Sequence, residues 1–130
     1  MGESVNYRDL MTRFRWAFAS ADAELLDGVL GAGFQWHTHT FDPNNPVPTG
    51  RVLHGVAEMV EELEWRKANW VGVRFEGLNE HFAPKLITQS FTISGLDRGT
   101  RFHVAAIDIY TLNDADLIVK KDTYWKQATR

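Results

Sequence analysis

The run Arg101 to Leu112, Arg-Phe-His-Val-Ala-Ala-Ile-Asp-Ile-Tyr-Thr-Leu, limits the possible folds more than any other stretch of the chain. Its apolar residues are almost unbroken, which predicts a strand covered on both sides. Asp108 stands alone among them. Burying a bare charge is costly, so this carboxyl must be paired, hydrogen-bonded or kept protonated. It is either a polar anchor of the sheet or the working acid of a small-molecule pocket.

The pattern on either side of this run changes character. Tyr7, Leu10, Met11, Phe14, Ala17 and Phe18 recur at helical spacing and make one apolar stripe. Ser20 or Asp22 can cap a short second helix carrying Leu25, Leu26, Val29 and Leu30, ended by Gly31-Ala-Gly33. Phe34 to Phe41 alternates like a strand, and Asp42 to Gly50, with three prolines, reads as a loop. A third helix shows one apolar face through Val56, Met59, Val60, Leu63 and Trp70, with Glu62 and Arg66 as an i,i+4 pair. Strands are then expected over Trp70 to Phe75, Leu86 to Ser94, Arg101 to Leu112 and Leu117 to Trp125. The turn clusters Gly95–Gly99 and Asn113–Asp116 are short enough to close antiparallel hairpins. Helices followed by a meander predict an α+β fold, with helices on one face of a curved, mostly antiparallel sheet.

Length and composition narrow the function. A chain of 130 residues is expected to form one domain, 1–130, with a genuine core. The net charge is −3 and the basic residues are scattered, so a nucleic-acid surface is not expected. Cysteine is absent, which excludes a disulfide framework, a thiol nucleophile and Cys-based zinc sites. No apolar stretch reaches membrane-spanning length and no signal pattern opens the chain, so a cytoplasmic protein without membrane partners is expected. Five Trp, eight Phe and three Tyr suit a core, and also a pocket for flat apolar ligands.

The order of elements resembles the nuclear transport factor 2-like (NTF2-like) superfamily, whose cone-shaped members include ketosteroid isomerases, SnoaL-type polyketide cyclases, limonene epoxide hydrolases and scytalone dehydratases. The resemblance runs from about Tyr7 to Lys126 and rests on Ala21-Asp-Ala-Glu-Leu-Leu26, Val52-Leu-His-Gly-Val-Ala-Glu58, Ile107-Asp108 and Asp122-Thr-Tyr-Trp125. It implies a cone-shaped α+β barrel, a cavity for a small apolar or aromatic molecule, and a homodimer formed through the outer sheet face. Laid against the ketosteroid isomerase pattern, the oxyanion-hole carboxyl falls on Asp108. The oxyanion-hole tyrosine falls on Phe14 and the general base on Thr38, neither of which can do that work. Steroid isomerisation is therefore not expected.

The remaining candidates follow from strand faces. Asp108 shares its face with Phe102, Val104, Ala106 and Tyr110, and desolvation there would favour its protonated form. On the last strand, one register turns Val119, Lys121, Thr123 and Trp125 inward, letting Lys121 pair with Asp108. The other turns Asp122 inward as the acid–base group. His54, beside Gly55 where the third helix begins, is a further candidate base. Phe14, Phe18, Trp36, Thr38, Met59, Gln89, Phe91, Val104, Tyr110 and Trp125 are expected to contact a ligand. His37-Thr-His39 has metal-ligand spacing, but the following glutamate of the cupin motif is missing and no metal is expected. The function expected is cofactor-free acid–base chemistry: an isomerase, cyclase, dehydratase or epoxide hydrolase. The alternative is a non-catalytic ligand-binding or dimerising domain of the same fold.

Overall fold

Leu10, Met11, Phe14 and Ala17 are buried along one side of helix α1 (Tyr7–Ser20) in the computed structural model, which describes residues 6–39, 47–48 and 50–126. The Asn6 side chain caps this helix by accepting from the Asp9 N–H at 3.0 Å. Asp22 caps the short α2 (Ala23–Asp27) in the same way, accepting from the Leu25 N–H at 3.1 Å. Strand β1 (Leu30–His39) follows, then β2 (Arg51–His54), α3 (Gly55–Asn69), β3 (Trp70–Ala83), β4 (Leu86–Asp97), β5 (Thr100–Leu112) and β6 (Ile118–Trp125). The expected strand end at Phe41 and most of the expected Asp42–Gly50 loop lie outside the described residues.

The strands form one sheet in the order β2-β1-β6-β5-β4-β3. Every neighbouring pair is antiparallel except β1 and β6, which run parallel. Three helices on a curved, mostly antiparallel sheet make the α+β fold expected from the pattern, in the cone form the resemblance implies. Arg98 and Gly99 connect β4 to β5, both with positive φ, as a two-residue hairpin turn matching the twist of its strands requires. Asn113 shapes the turn before β6, accepting from the Ala115 and Leu117 N–H groups at 2.9 and 3.0 Å.

Three elements differ from the pattern reading. Leu30 opens β1 instead of closing a helix, and Gly31–Gly33 lies within that strand. Residues Arg51–His54 form a short strand paired with β1, where the resemblance had placed the approach to a helix. Strand β3 runs on to Ala83 rather than stopping at Phe75. Its register against β4 shifts twice, and Gly72 and Gly77 sit at those shifts with φ of 65° and 68°. Such bulges need a residue free to adopt positive φ, and they bend the strand. The edge strand thereby curls over the concave face.

The core joins α1, α2 and α3 to that concave face through Leu26, Trp36, Met59, Leu63, Ile87, Tyr110, Leu112 and Ile118. Among the described residues no helix is long and apolar enough to cross a membrane.

Candidate functional site

The core does not fill the cone. A cavity of about 580 Å³ remains between α1, α3 and the concave sheet. Its walls are aromatic: Phe14 and Phe18 from α1, Trp36 from β1, Trp70 and Phe75 from β3, Phe91 from β4, Tyr110 from β5 and Trp125 from β6. Leu63, Val73, Leu78 and Ile93 complete the apolar lining, and Gln89, Asp108, Lys121 and Thr123 supply buried polar groups.

Strand alternation puts those polar groups together. In the β5–β6 ladder Asp108 lies opposite Thr123 and Tyr110 opposite Lys121, all facing inward. Lys121 Nζ is 3.1 Å from Asp108 Oδ1, and both side chains are under a tenth exposed. The Thr123 hydroxyl fixes the geometry. It receives the Trp36 indole N–H at 2.9 Å and a Lys121 N–H at 3.0 Å, and neither partner can accept. Its single proton therefore goes to Asp108 Oδ1, at 2.7 Å. The other carboxyl oxygen, Oδ2, faces the Tyr110 hydroxyl at 3.3 Å. Tyr110 also reaches Gln89 Oε1 at 3.0 Å, and Gln89 donates to Glu80 at 2.7 Å, which is in turn paired with Arg15 at the cavity edge.

The ammonium sits among rings. Lys121 Nζ lies 4.7, 5.3 and 5.4 Å from the ring centres of Trp36, Phe18 and Tyr110. Burial pushes its pKa below the ordinary lysine value, with Asp108 pulling the other way. Burial drives the Tyr110 phenol well above its usual value, and the Asp108 charge adds to that. A second cation, Arg66, is clamped between Trp36 and Trp70, 4.9 and 4.6 Å from their ring centres. Its Nε donates to Glu62 at 2.9 Å, and Arg51 binds the other oxygen of that buried carboxylate at 2.8 Å. Burial lowers the Arg66 pKa, against the pull of Glu62. Its two terminal amino groups have no protein partner among the described residues.

Of the residues expected to touch a ligand, Phe14, Phe18, Trp36, Gln89, Phe91, Tyr110 and Trp125 line this cavity. Thr38, Met59 and Val104 do not. Thr38 donates to the Arg51 carbonyl at 3.1 Å between β1 and β2, and Met59 is fully buried in the helix-to-sheet core. Val104 lies beyond Ala106, the last β5 residue paired with β6. Of the acid–base candidates, Asp108 and Lys121 meet in the cavity. His54 pairs across the ladder with Gln35 and its side chain is 62% exposed, with Nδ1 3.5 Å from Glu58. Asp122 occupies the outer sheet face, where its Oδ1 meets His39 Nε2 at 2.7 Å. The inward register of β6 is thus the one carrying Lys121, and Asp122 is corrected to the opposite side. Pattern reading missed Arg66, Trp70 and Arg15 as cavity residues. Arg66 lies one turn after Glu62 and four residues before Trp70, a spacing that could have placed it on the buried face of α3.

No protein-family model and no curated protein matches the chain. Solved structures do. An NTF2-like protein from Burkholderia xenovorans superposes with a TM-score of 0.77 at 15% identity, covering 96% of this chain and 93% of its own. A protein with a ketosteroid isomerase-like fold from Catenulispora acidiphila, solved in complex with trimethylamine, gives 0.70 at 15% identity, covering 90% and 85%. A protein from Jannaschia sp. CCS1 named for its likeness to SnoaL-type polyketide cyclases gives 0.68 at 9% identity, covering 96% and 92%. Identities this low speak for architecture alone, and on that ground the chain has the NTF2-like fold.

Proposed function

We propose that the cavity takes a small, largely apolar or aromatic molecule bearing an electron-rich oxygen and moves a proton on it without an organic cofactor. The observation that carries this reading is a buried carboxyl–ammonium pair on the wall of an open aromatic hollow. Lys121 has three N–H bonds, and Asp108 and Thr123 engage two. The third is available to a ligand oxygen as negative charge develops there. Asp108 Oδ2, the oxygen not shared with Thr123 and Lys121, takes the proton leaving the substrate and returns it at the new position. Arg15, Arg66, Lys67 and Lys121 line the cavity; Glu80, Glu62 and Asp108 pair with Arg15, Arg66 and Lys121, and Lys67, without a carboxylate partner among the described residues, is the charge that favours an enolate-like or anionic group. Isomerisation, cyclisation, dehydration and epoxide opening all belong to this chemistry.

A second reading, a non-catalytic binding domain, is favoured by how fully Asp108 is engaged by Thr123, Lys121 and Tyr110. The neighbour solved with trimethylamine supports small-molecule binding by this fold. Under either reading we infer a homodimer through the outer sheet face around β5, where Ile107 is 47% exposed, leaving the β1–β6 part of that face open.

Thermal-shift screening of cyclic ketones and phenols, followed by proton NMR of each stabilising compound in heavy water, separates the two readings. Catalysis predicts faster solvent deuterium uptake with wild type than with Asp108→Asn, which still binds. Binding without exchange supports the passive domain. No stabilising compound at all would count against both.

A further inference from the structure

The back of the sheet, behind the cavity, carries a second cluster that the reaction does not use. His37 and His39 alternate outward from β1, and Asp122 projects from the parallel neighbour β6, directly across from His37. One ligand-type atom from each of the three lies within 4.8 Å of the other two. His39 Nε2 is 2.7 Å from Asp122 Oδ1, and the two side chains are 15% and 11% exposed. The His39 ring is stacked flat on Tyr124, 4.1 Å between centres at 3°, which fixes the direction of its nitrogens. The His37 and His39 rings are nearly parallel, 5.9 Å apart. We propose that His37, His39 and Asp122 form a binding site for one late first-row divalent metal ion, of the zinc or cobalt class.

The chemistry of the donor set supports this assignment. Two neutral imidazoles and one carboxylate suit borderline ions, whereas calcium or magnesium would call for an all-oxygen shell. Bonds of about 2.0–2.2 Å to nitrogen and oxygen need ligand atoms roughly 3.3 Å apart in a tetrahedron. The His39–Asp122 contact must therefore open slightly and His37 must close in, giving up its 2.9 Å contact with Gln35 Oε1. Both are side-chain rotations on a paired, rigid ladder. Three protein ligands leave a fourth position for water or for Gln35. The opposing charge is Lys120, whose Nζ is 3.7 Å from Asp122 Oδ2 and 45% exposed, so it can swing into solvent when the ion enters. Parallel pairing explains the cluster: it sets β6 beside β1 so that residues far apart in sequence share one face.

Cobalt(II) titration of the untagged, metal-stripped full chain tests the site, with visible absorption and thermal unfolding as readouts. Wild type should take up one ion per chain, develop ligand-field bands of nitrogen–oxygen coordination, and unfold at a higher temperature with zinc. His39→Gln and Asp122→Asn should each weaken uptake by more than about 100-fold, since even loss of an outer partner of a metal ligand costs roughly 10- to 100-fold. His54→Gln and His81→Gln should bind as wild type. If one ligand variant fails to fold, the other and His37→Gln read the same prediction. Absence of saturable uptake by wild type, or uptake unchanged in the folded ligand variants, would overturn the assignment.

Discussion

The two faces of the β1–β6 pair are built from alternate residues of the same two strands, yet they solve opposite problems. Inward, Trp36, Lys121 and Thr123 meet Asp108 on the wall of the aromatic hollow. Outward, His37, His39 and Asp122 meet beside solvent. On the inner face Asp108 is held by Thr123, Lys121 and Tyr110, because an unmatched ion there would bear most of its desolvation cost. On the outer face water shares the task, so the groups keep spare valence. A fully buried site is specified by what its members already hold, and one nearer the surface by what it can still accept.

Breaking the inner face should have the largest effect. Lys121→Met strands Asp108 without its cation and should cost about 3–5 kcal/mol of unfolding free energy in denaturant titration. Adding Asp108→Leu to that variant should recover much of the loss, because a neutral apolar pair needs no partner. If the double substitution were the sum of the singles, the two groups would not be energetically coupled.

A smaller effect lies at alkaline pH. The Tyr110 phenol is held above its usual value near 10 in the folded state. The unfolded chain therefore loses that proton first, and stability present below about pH 10 is lost as pH rises beyond it, by up to about 1.4 kcal/mol per pH unit. Lys121 acts with the opposite sign, since its pKa is lowered. Stability rises as pH climbs from that lowered value towards the ordinary 10.5 of the unfolded chain. Melting temperatures from pH 7 to 11 should show the fall beyond pH 10 in wild type and not in Tyr110→Phe.

The outer face should be the least sensitive. In metal-free protein His39→Ala should cost less than Lys121→Met by the same denaturant assay, because Asp122 keeps Lys120 at 3.7 Å as a counter-charge. A cost equal to that of Lys121→Met would erase the contrast between the faces.

Local signals in the chain were enough for α1, the body of α3 and strands β4 to β6, because each repeats its apolar residues at one period and ends in a recognisable turn. Asp108 was conspicuous for the same reason, as a charge interrupting a regular pattern. What escaped was set by partners distant in sequence. Arg51–His54 is too short to announce itself and becomes a strand only against β1. The far half of β3 is an exposed edge whose two bulges break the alternation that would have marked it. Leu25, Leu26, Val29 and Leu30 mimic a helical repeat, but the last of them pairs with Ile118. Arg66 read as half of an i,i+4 pair with Glu62, and only the packing of Trp36 and Trp70 about it reveals a cavity wall.

The position of β6 between β1 and β5 has a consequence for how the cone is closed. Without β6 the sheet would be two disconnected fragments, β2-β1 and β5-β4-β3, each with an open hydrogen-bonding edge. The strand that joins them also delivers the lysine that neutralises Asp108. Without it, the hollow is split and its acid is unaccompanied. Closure of the cone and completion of the Asp108–Lys121 pair thus both depend on the same strand.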